Sequence, residues 1–298
     1  MQNVLTFDLE EYFHVSAYAD SVRLTDWDSY PSRIEESTDR ILELLEKHQC
    51  RATFFVLGWV AEKKPKVVAR VASAGHEIAC HSLLHRRIFG ITPDEFFADT
   101  RRAKSIIEDV TGKEVLGYRA PSFSITPACT WALEILIEAG FQYDSSIYPV
   151  RHPSYGIPHA PRTPFWVRTA SGQILEFPMT VIDLAGYRSP LAGGAYLRAL
   201  PYSYTRWAMR YLNEREDRFV CVYVHPWELD AGQPVLPGRP TTHLRHRLGL
   251  RSLDKKLNQL MSDFEFCPFR PWVDLMLHSA GQNLDFLDVA QLVGSSGS

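Results

Sequence analysis

Short apolar runs alternate with stretches of helical periodicity through the first half of the chain. NVLTF (3–7) reads as a buried strand ending at Asp8, and residues 33–48 place Ile34, Ile41, Leu44 and Leu45 near helical spacing. ATFFVL (52–57) is a second strand-like run. A helix over 59–74 is closed by Gly75, and HEIAC (76–80) is a third short strand. Pro93 opens a helix whose apolar face carries Phe96, Phe97, Ile106, Ile107 and Val110, with Gly112 after its end. EVLGYRA (114–120) reads as a strand, 127–139 as a helix closed by Gly140, and FQYD (141–144) as a short strand.

The alternation then breaks. Prolines at 149, 153, 158, 161 and 164 predict a long irregular loop. A strand near 173–178, a helix across 195–214 and the strand FVCVYV (219–224) restore the pattern. Residues 230–250 read as loop, and 252–263 as helix. Repeated β–α units argue for a parallel sheet with helices outside it, without separating an open sheet from a closed barrel. Asp8, His81, Arg119, Asp144 and His225 each fall at or just past the C-terminal end of an expected strand, where both architectures place their chemistry.

Composition narrows the class. The chain has 298 residues, 45% hydrophobic and 22% charged, which fits an ordinary globular protein and excludes disordered and fibrous classes. A net charge of −3 gives no basic field to draw in nucleic acid. The five cysteines, Cys50, Cys80, Cys129, Cys221 and Cys267, show no C-x-x-C spacing, which argues against a disulfide framework and an all-thiolate zinc site. MQNVLTFDLEEYF carries no secretory signal pattern, and no stretch approaches a membrane-spanning length, so the expected location is the cytoplasm or the periphery of the inner membrane. GSSGS (294–298) reads as a flexible tail.

Several clusters carry candidate chemistry. His81 and His85 in H-S-L-L-H, four residues apart on a helical turn, share a side and suit a metal; alone the spacing is weak, and a surface pair is the bland alternative. Asp8, Glu10 and Glu11 place three carboxylates after a buried strand. A His–His–carboxylate set leaves an open metal position for water, whose pKa falls to about 7 on such a metal. Asp8 and Glu10 are alternate residues of an extended segment and so point the same way; one can bind metal while the other stands beside the water. Arg119 suits either a bidentate hold on a catalytic carboxylate or a structural ion pair. His225 is either a core histidine or a general acid, and Asp144 either its hydrogen-bond partner or a turn cap.

In order, T-F-D-L-E-E (6–11), H-S-L-L-H (81–85), R-A-P-S-F (119–123), D-S-S (144–146) and Y-V-H-P-W (223–227) resemble the five motifs of the polysaccharide deacetylases (carbohydrate esterase family 4, the NodB-homology domain). A-T-F-F-V-L and G-H-E-I-A-C-H add family landmarks, with His76 read as structural. The form T-F-D-L-E-E-Y-F-H-V, with H-P-W-E, is similar to the subgroup that accompanies exosortase/PEP-CTERM exopolysaccharide systems in bacteria. The resemblance implies an α/β fold, a deformed (β/α) barrel of about seven parallel strands, as one domain over 1–293 with its core at about 3–228 and a subgroup-specific region over 150–290. It implies one divalent metal, usually Zn2+, held by His81 and His85, with Asp8 as base, Arg119 orienting it and His225 as acid. It also implies hydrolysis of N-acetyl groups on an oligo- or polysaccharide, in association with exopolysaccharide synthesis machinery. The family's first motif is commonly D-D; here Leu9 replaces the second Asp, which moves the carboxylate ligand to Glu10, with Glu11 competing. A small-amide hydrolase of the allantoinase-like branch and a non-catalytic glycan binder are the rival readings. The aromatic residues from 155 onward suit either a sugar-stacking groove or the core. Arg239, Arg245, Arg247 and Arg251 suit either a solvated loop or contact with an anionic glycan.

Overall fold

A computed structural model describes residues 1–184, 186–191, 193–278 and 284–293; the tail at 294–298 lies outside them. The strands, in chain order, are β1 (Asn3–Leu9), β2 (Thr53–Val56), β3 (Glu77–Cys80), β4 (Gly117–Tyr118), β5 (Tyr143–Asp144), β6 (Phe165–Thr169), β7 (Gly172–Glu176), β8 (Val181–Leu184), β9 (Tyr187–Pro190), β10 (Cys221–Val224), β11 (Phe266–Cys267) and β12 (Phe286–Asp288). They form one large sheet in the order β10-β1-β2-β3-β4-β5-β7-β6-β12, with β11 beside the start of β1, and a separate β8–β9 hairpin. The run from β10 to β7 is parallel at every pairing, which matches the expected seven parallel strands. Residues on both sides of the proline-rich loop contribute: β10 pairs with β1, and β7 pairs with β5.

The central strands are mostly apolar because both faces are covered. Every residue of β1 and β2 is buried. The helix Ile34–Lys47 turns Ile34, Ile41, Leu44 and Leu45 inward. The helix Pro93–Thr111 starts with a Thr92/Glu95 capping box and ends at Gly112, whose φ of 64° is the left-handed conformation glycine adopts without strain.

The structure corrects several sequence readings. The helix expected over 59–74 is two, Gly58–Lys63 and Pro65–Ser73, because Pro65 has no N–H to continue the first. The helix expected over 195–214 divides likewise at Pro201, into Gly194–Ala199 and Tyr202–Arg215. The strand at 114–120 shrinks to Gly117–Tyr118. Residues 240–247, read as loop, are helical, with Pro240 at the first position. Gly117 is fixed by packing: a Cβ there lies 2.0 Å from Tyr143 Cζ on the neighbouring strand.

Candidate active and metal site

The carboxyl ends of β1, β3, β4 and β10 deliver their side chains to one place. Parallel register aligns them, with Phe7 opposite Val224 and Cys80 opposite Tyr118, so that Asp8, His225, His81 and Arg119 follow directly. Asp8 is buried, and its Oδ1 accepts from Arg119 Nη1 at 2.7 Å. Arg119 is wholly enclosed. It also donates to Thr6 Oγ1 and to the carbonyl and hydroxyl of Ser145, with its guanidinium carbon 4.0 Å from the centre of the Phe55 ring. Bound on that side, Asp8 keeps Oδ2 toward His225 Nε2, 3.8 Å away.

Glu10 shares this space, as the alternation of an extended segment requires. Its Oε1 accepts from the Trp227 indole at 3.2 Å, and its Oε2 lies 2.8 Å from His85 Nε2 without a hydrogen bond aligned on it. Glu11, the competing ligand, points away and accepts from Ser32 Oγ and the backbone N–H groups of Arg33 and Ile34 at the start of a helix. That role is a helix-terminal cap, and it leaves Glu10 as the carboxylate of the cluster.

The two histidines meet, though not on a helical turn as the spacing suggested. Residues 81–85 form an irregular loop in which Ser82 and His85 take left-handed φ values of 63° and 53°. The loop is pinned by Asp99, which accepts from Leu83 N–H, and by bonds from Gly58 and Trp59 N–H to the carbonyls of Ser82 and Leu83. The rings stand 5.2 Å apart. His81 Nδ1 lies 2.8 Å from the Arg119 carbonyl, which places its proton there and leaves Nε2 as a lone pair. Burial, the largest cause, drops His81 to about 4, so it is neutral as a ligand must be. Burial alone would raise Glu10, but His85, His225 and His81 together hold it well below the ordinary carboxylate range.

One ligand atom each from Glu10, His81 and His85 lies within 4.8 Å of the others. Two imidazoles and a carboxylate, with Glu10 Oε2 buried and without an aligned hydrogen bond, fit a divalent cation of the zinc type.

His225 differs from expectation in its partner. Its Nδ1 and backbone N–H both lie 3.0 Å from Glu228 Oε2. Burial would lower His225, but Glu228 first, then Glu10 and Asp8, push it up to about 9. Asp144, read as the partner of His225 or a turn cap, accepts from Ser146 Oγ two residues on and sits opposite Glu176 on β7. Burial of the two carboxyls raises both, Asp144 to about 6 and Glu176 well above its usual value. Phe123 N–H donates to the Ala120 carbonyl. His76 lies away from the cluster and accepts from Ala52 N–H.

Sequence reasoning missed Glu228, Trp227 and Arg198, whose Nε donates to Glu228 Oε1 at 2.7 Å. Glu228 had a usable signal: it follows His225 by three residues, and Pro226 opens a turn that returns it to the histidine.

Comparison with known proteins fits this geometry. Residues 16–143 match the family model described as Polysaccharide deacetylase, and residues 145–274 match one described as Domain of unknown function (DUF3473). A peptidoglycan-N-acetylglucosamine deacetylase of Bacillus cereus is 34% identical over 100 residues, 33% of this chain and 36% of that protein. A peptidoglycan deacetylase of Helicobacter pylori is 28% identical over 134 residues, 45% of this chain and 41% of that protein. The chain thus spans less than half the length of these curated relatives. A crystal structure of a candidate polysaccharide deacetylase from Mycobacterium smegmatis superposes with a TM-score of 0.62 at 21% identity, covering 94% of this chain and 90% of that one, which shows a shared fold. Residues 16–143 thus match the polysaccharide deacetylase family model, and the curated relatives that the chain resembles are described as deacetylases.

Proposed function

We propose that this chain is a metal-dependent hydrolase that removes acetyl groups from the nitrogen of amino sugars in an oligo- or polysaccharide, releasing acetate. The observation that carries the reading is the convergence of Asp8, Glu10, His81, His85, Arg119 and His225 at one end of the parallel sheet. Relatives described as deacetylases of peptidoglycan and of chitooligosaccharides support the reaction class.

Glu10, His81 and His85 would hold the cation, most simply Zn2+. When bound, it supplies Lewis acidity to the attacking water and the acetamide carbonyl. The remaining steps belong to the chain. Arg119 holds Asp8 by Oδ1 and turns it, so that Oδ2 takes the proton from the attacking water. The backbone N–H of Ser122 stabilises the developing oxyanion. His225 Nε2 returns a proton to the nitrogen of the leaving sugar as the C–N bond breaks. Asp144 has no hydrogen bond or ion pair to His225 among the described residues, so its part in the reaction is indirect: it lines the wall next to Ser145, which holds Arg119.

The substrate we assign is a bacterial exopolysaccharide, on the strength of the first-motif form T-F-D-L-E-E-Y-F-H-V with H-P-W-E, in company with synthesis machinery at the inner membrane. Among the described residues no helix is long and apolar enough to cross a membrane. The chain acts as one domain in this reading, because β10 and β7 of the second matched segment pair with β1, which precedes the first segment, and with β5 at its end.

The test is acetate release from a panel of N-acetylated oligosaccharides, with small cyclic and linear amides as controls, before and after chelation and Zn2+ repletion. Asp8→Asn is expected to abolish release while bound metal persists, and Glu10→Gln to lose metal. Metal loss in Asp8→Asn with retention in Glu10→Gln would reverse the two roles. Turnover of the small amides alone would replace the glycan reading.

A further inference from the structure

The segment without a described function surrounds His225 with a built support. Glu228 divides its carboxylate: Oε2 takes the Nδ1 and backbone N–H of His225, and Oε1 takes Arg198 Nε at 2.7 Å. Arg198 is anchored in turn by Nη1, which donates to the carbonyls of His246 and Leu248 near the end of the helix Pro240–Arg247. The Arg198 and Glu228 side chains are 3% and 1% exposed. The backbone is shaped around them. A Cβ at Gly194 lies 1.9 Å from Glu228 Oε2, and one at Gly249, where φ is +74°, lies 2.6 Å from the Arg198 carbonyl.

A buried ion pair is a poor device for stability alone, because well-packed apolar residues commonly do as well. This one also reserves one carboxylate oxygen for an imidazole whose other nitrogen faces Asp8 and Glu10 at 3.8 and 3.7 Å. We propose that Glu228, held by Arg198, is the positioning residue of His225. It fixes a proton on Nδ1 and so aims Nε2 at the reacting space. This rests on the reading of His225 as proton donor. Nε2–H passes its proton to the leaving nitrogen, the pair of electrons in that N–H bond stays on Nε2, and the neutral ring keeps Nδ1–H on Glu228 throughout. The segment 145–274 thereby builds the acid half of the site, opposite the base and metal-ligand half supplied by Asp8, Glu10, His81 and His85.

The experiment has two arms on full-length Glu228→Gln and Glu228→Asp. In 15N-histidine-labelled protein, the low-field Nδ1–H proton, assigned by its absence in His225→Gln, is expected to vanish in both variants. With N-acetylchitopentaose and Zn2+, kcat is expected to fall ~100-fold or more in Glu228→Gln, where the amide favours the wrong tautomer, with KM and bound zinc unchanged. Should Glu228→Gln not fold, the neutral pair Arg198→Met/Glu228→Gln removes the uncompensated charge and must lose the same resonance. A resonance that survives Glu228→Gln, or an unchanged kcat, overturns the proposal. If the wild type releases no acetate from any sugar tested, the deacetylase reading fails, while the proton resonance still decides whether Glu228 holds His225.

Discussion

Replacing Arg119 by Met tests the link between the buried ion pair and the site most directly. Met keeps an apolar stem but removes the guanidinium that lies over Phe55, and with it the donors to Asp8 at 2.7 Å, to Thr6 Oγ1 at 2.8 Å, and to Ser145 O and Oγ at 3.3 and 3.2 Å. Asp8 is then a carboxylate at 2% exposure without its counter-charge. Breaking one partner of a buried pair costs about 3–5 kcal/mol, a large share of the roughly 5–15 kcal/mol that holds a domain together. At roughly 2–4 °C per kcal/mol for chains somewhat shorter than this one, that is on the order of 6–20 °C in Tm. The variant Asp8→Asn leaves Arg119 charged and buried, and costs a comparable amount. In the double variant both charges are gone. Urea unfolding of the two single variants and the double is expected to show a coupling energy of about 2 kcal/mol or more, the double being more stable than the sum of losses implies. All three variants lose acetate release, while zinc content, read by elemental analysis, stays near that of the wild type. Additivity within about 0.5 kcal/mol would refute the reasoning, because Arg119 would then not be neutralising Asp8.

Other expectations follow from single contacts. Glu11→Gln weakens the carboxylate cap on the backbone N–H groups at the start of the helix Ile34–Lys47 and lowers stability by ~1 kcal/mol in denaturant titration, with zinc binding unchanged. A Cβ at Gly117 meets the Tyr143 ring, so Gly117→Ala destabilises by roughly 1–3 kcal/mol, read as a lower urea midpoint at unchanged slope. Burial, with Arg51 nearby, holds His76 at about 4 in the folded chain. The unfolded state therefore binds the extra proton between about pH 6.5 and 4, and stability is lost as pH falls through that window, by up to ~3 kcal/mol from this residue. His76→Gln is expected to flatten that slope. Adding Zn2+ at about 100 times its Kd to chelator-treated protein raises stability by ~2.7 kcal/mol, and Glu10→Gln abolishes most of that shift in a thermal melt.

The parallel core was readable because several of its strands are short, mostly apolar runs that stop at a polar motif: NVLTF before Asp8, HEIAC before His81, FVCVYV before His225. Alternating side-chain direction in an extended segment paired Asp8 with Glu10, and the structure keeps that pairing. Other features depend on contacts distant in sequence. Whether Glu10 or Glu11 faces the cluster is decided by Ser32, Arg33 and Ile34, which draw Glu11 to a helix start. The H-x-x-x-H spacing suggested the right neighbours by the wrong geometry, since a left-handed loop pinned by Asp99 joins them. The helix Pro240–Arg247 escaped notice because it has almost no apolar face: Leu244 is exposed, and His246 and Arg247 attach it to Gln233 and Ala231 by hydrogen bonds. The β6–β7 and β8–β9 hairpins follow a proline-rich loop whose course no local pattern fixes.

The pairing of β1 with β10 has a consequence for how such a chain changes its target. Asp8 and His225 leave adjacent parallel strands in register, so the gap between them is set by the ladder spacing of a sheet, about 4.8 Å, and not by a hinge. No lid has to shut to bring the two jaws together. The surrounding loops are then free to be lengthened, shortened or exchanged, altering what can reach the jaws while their bite stays the same.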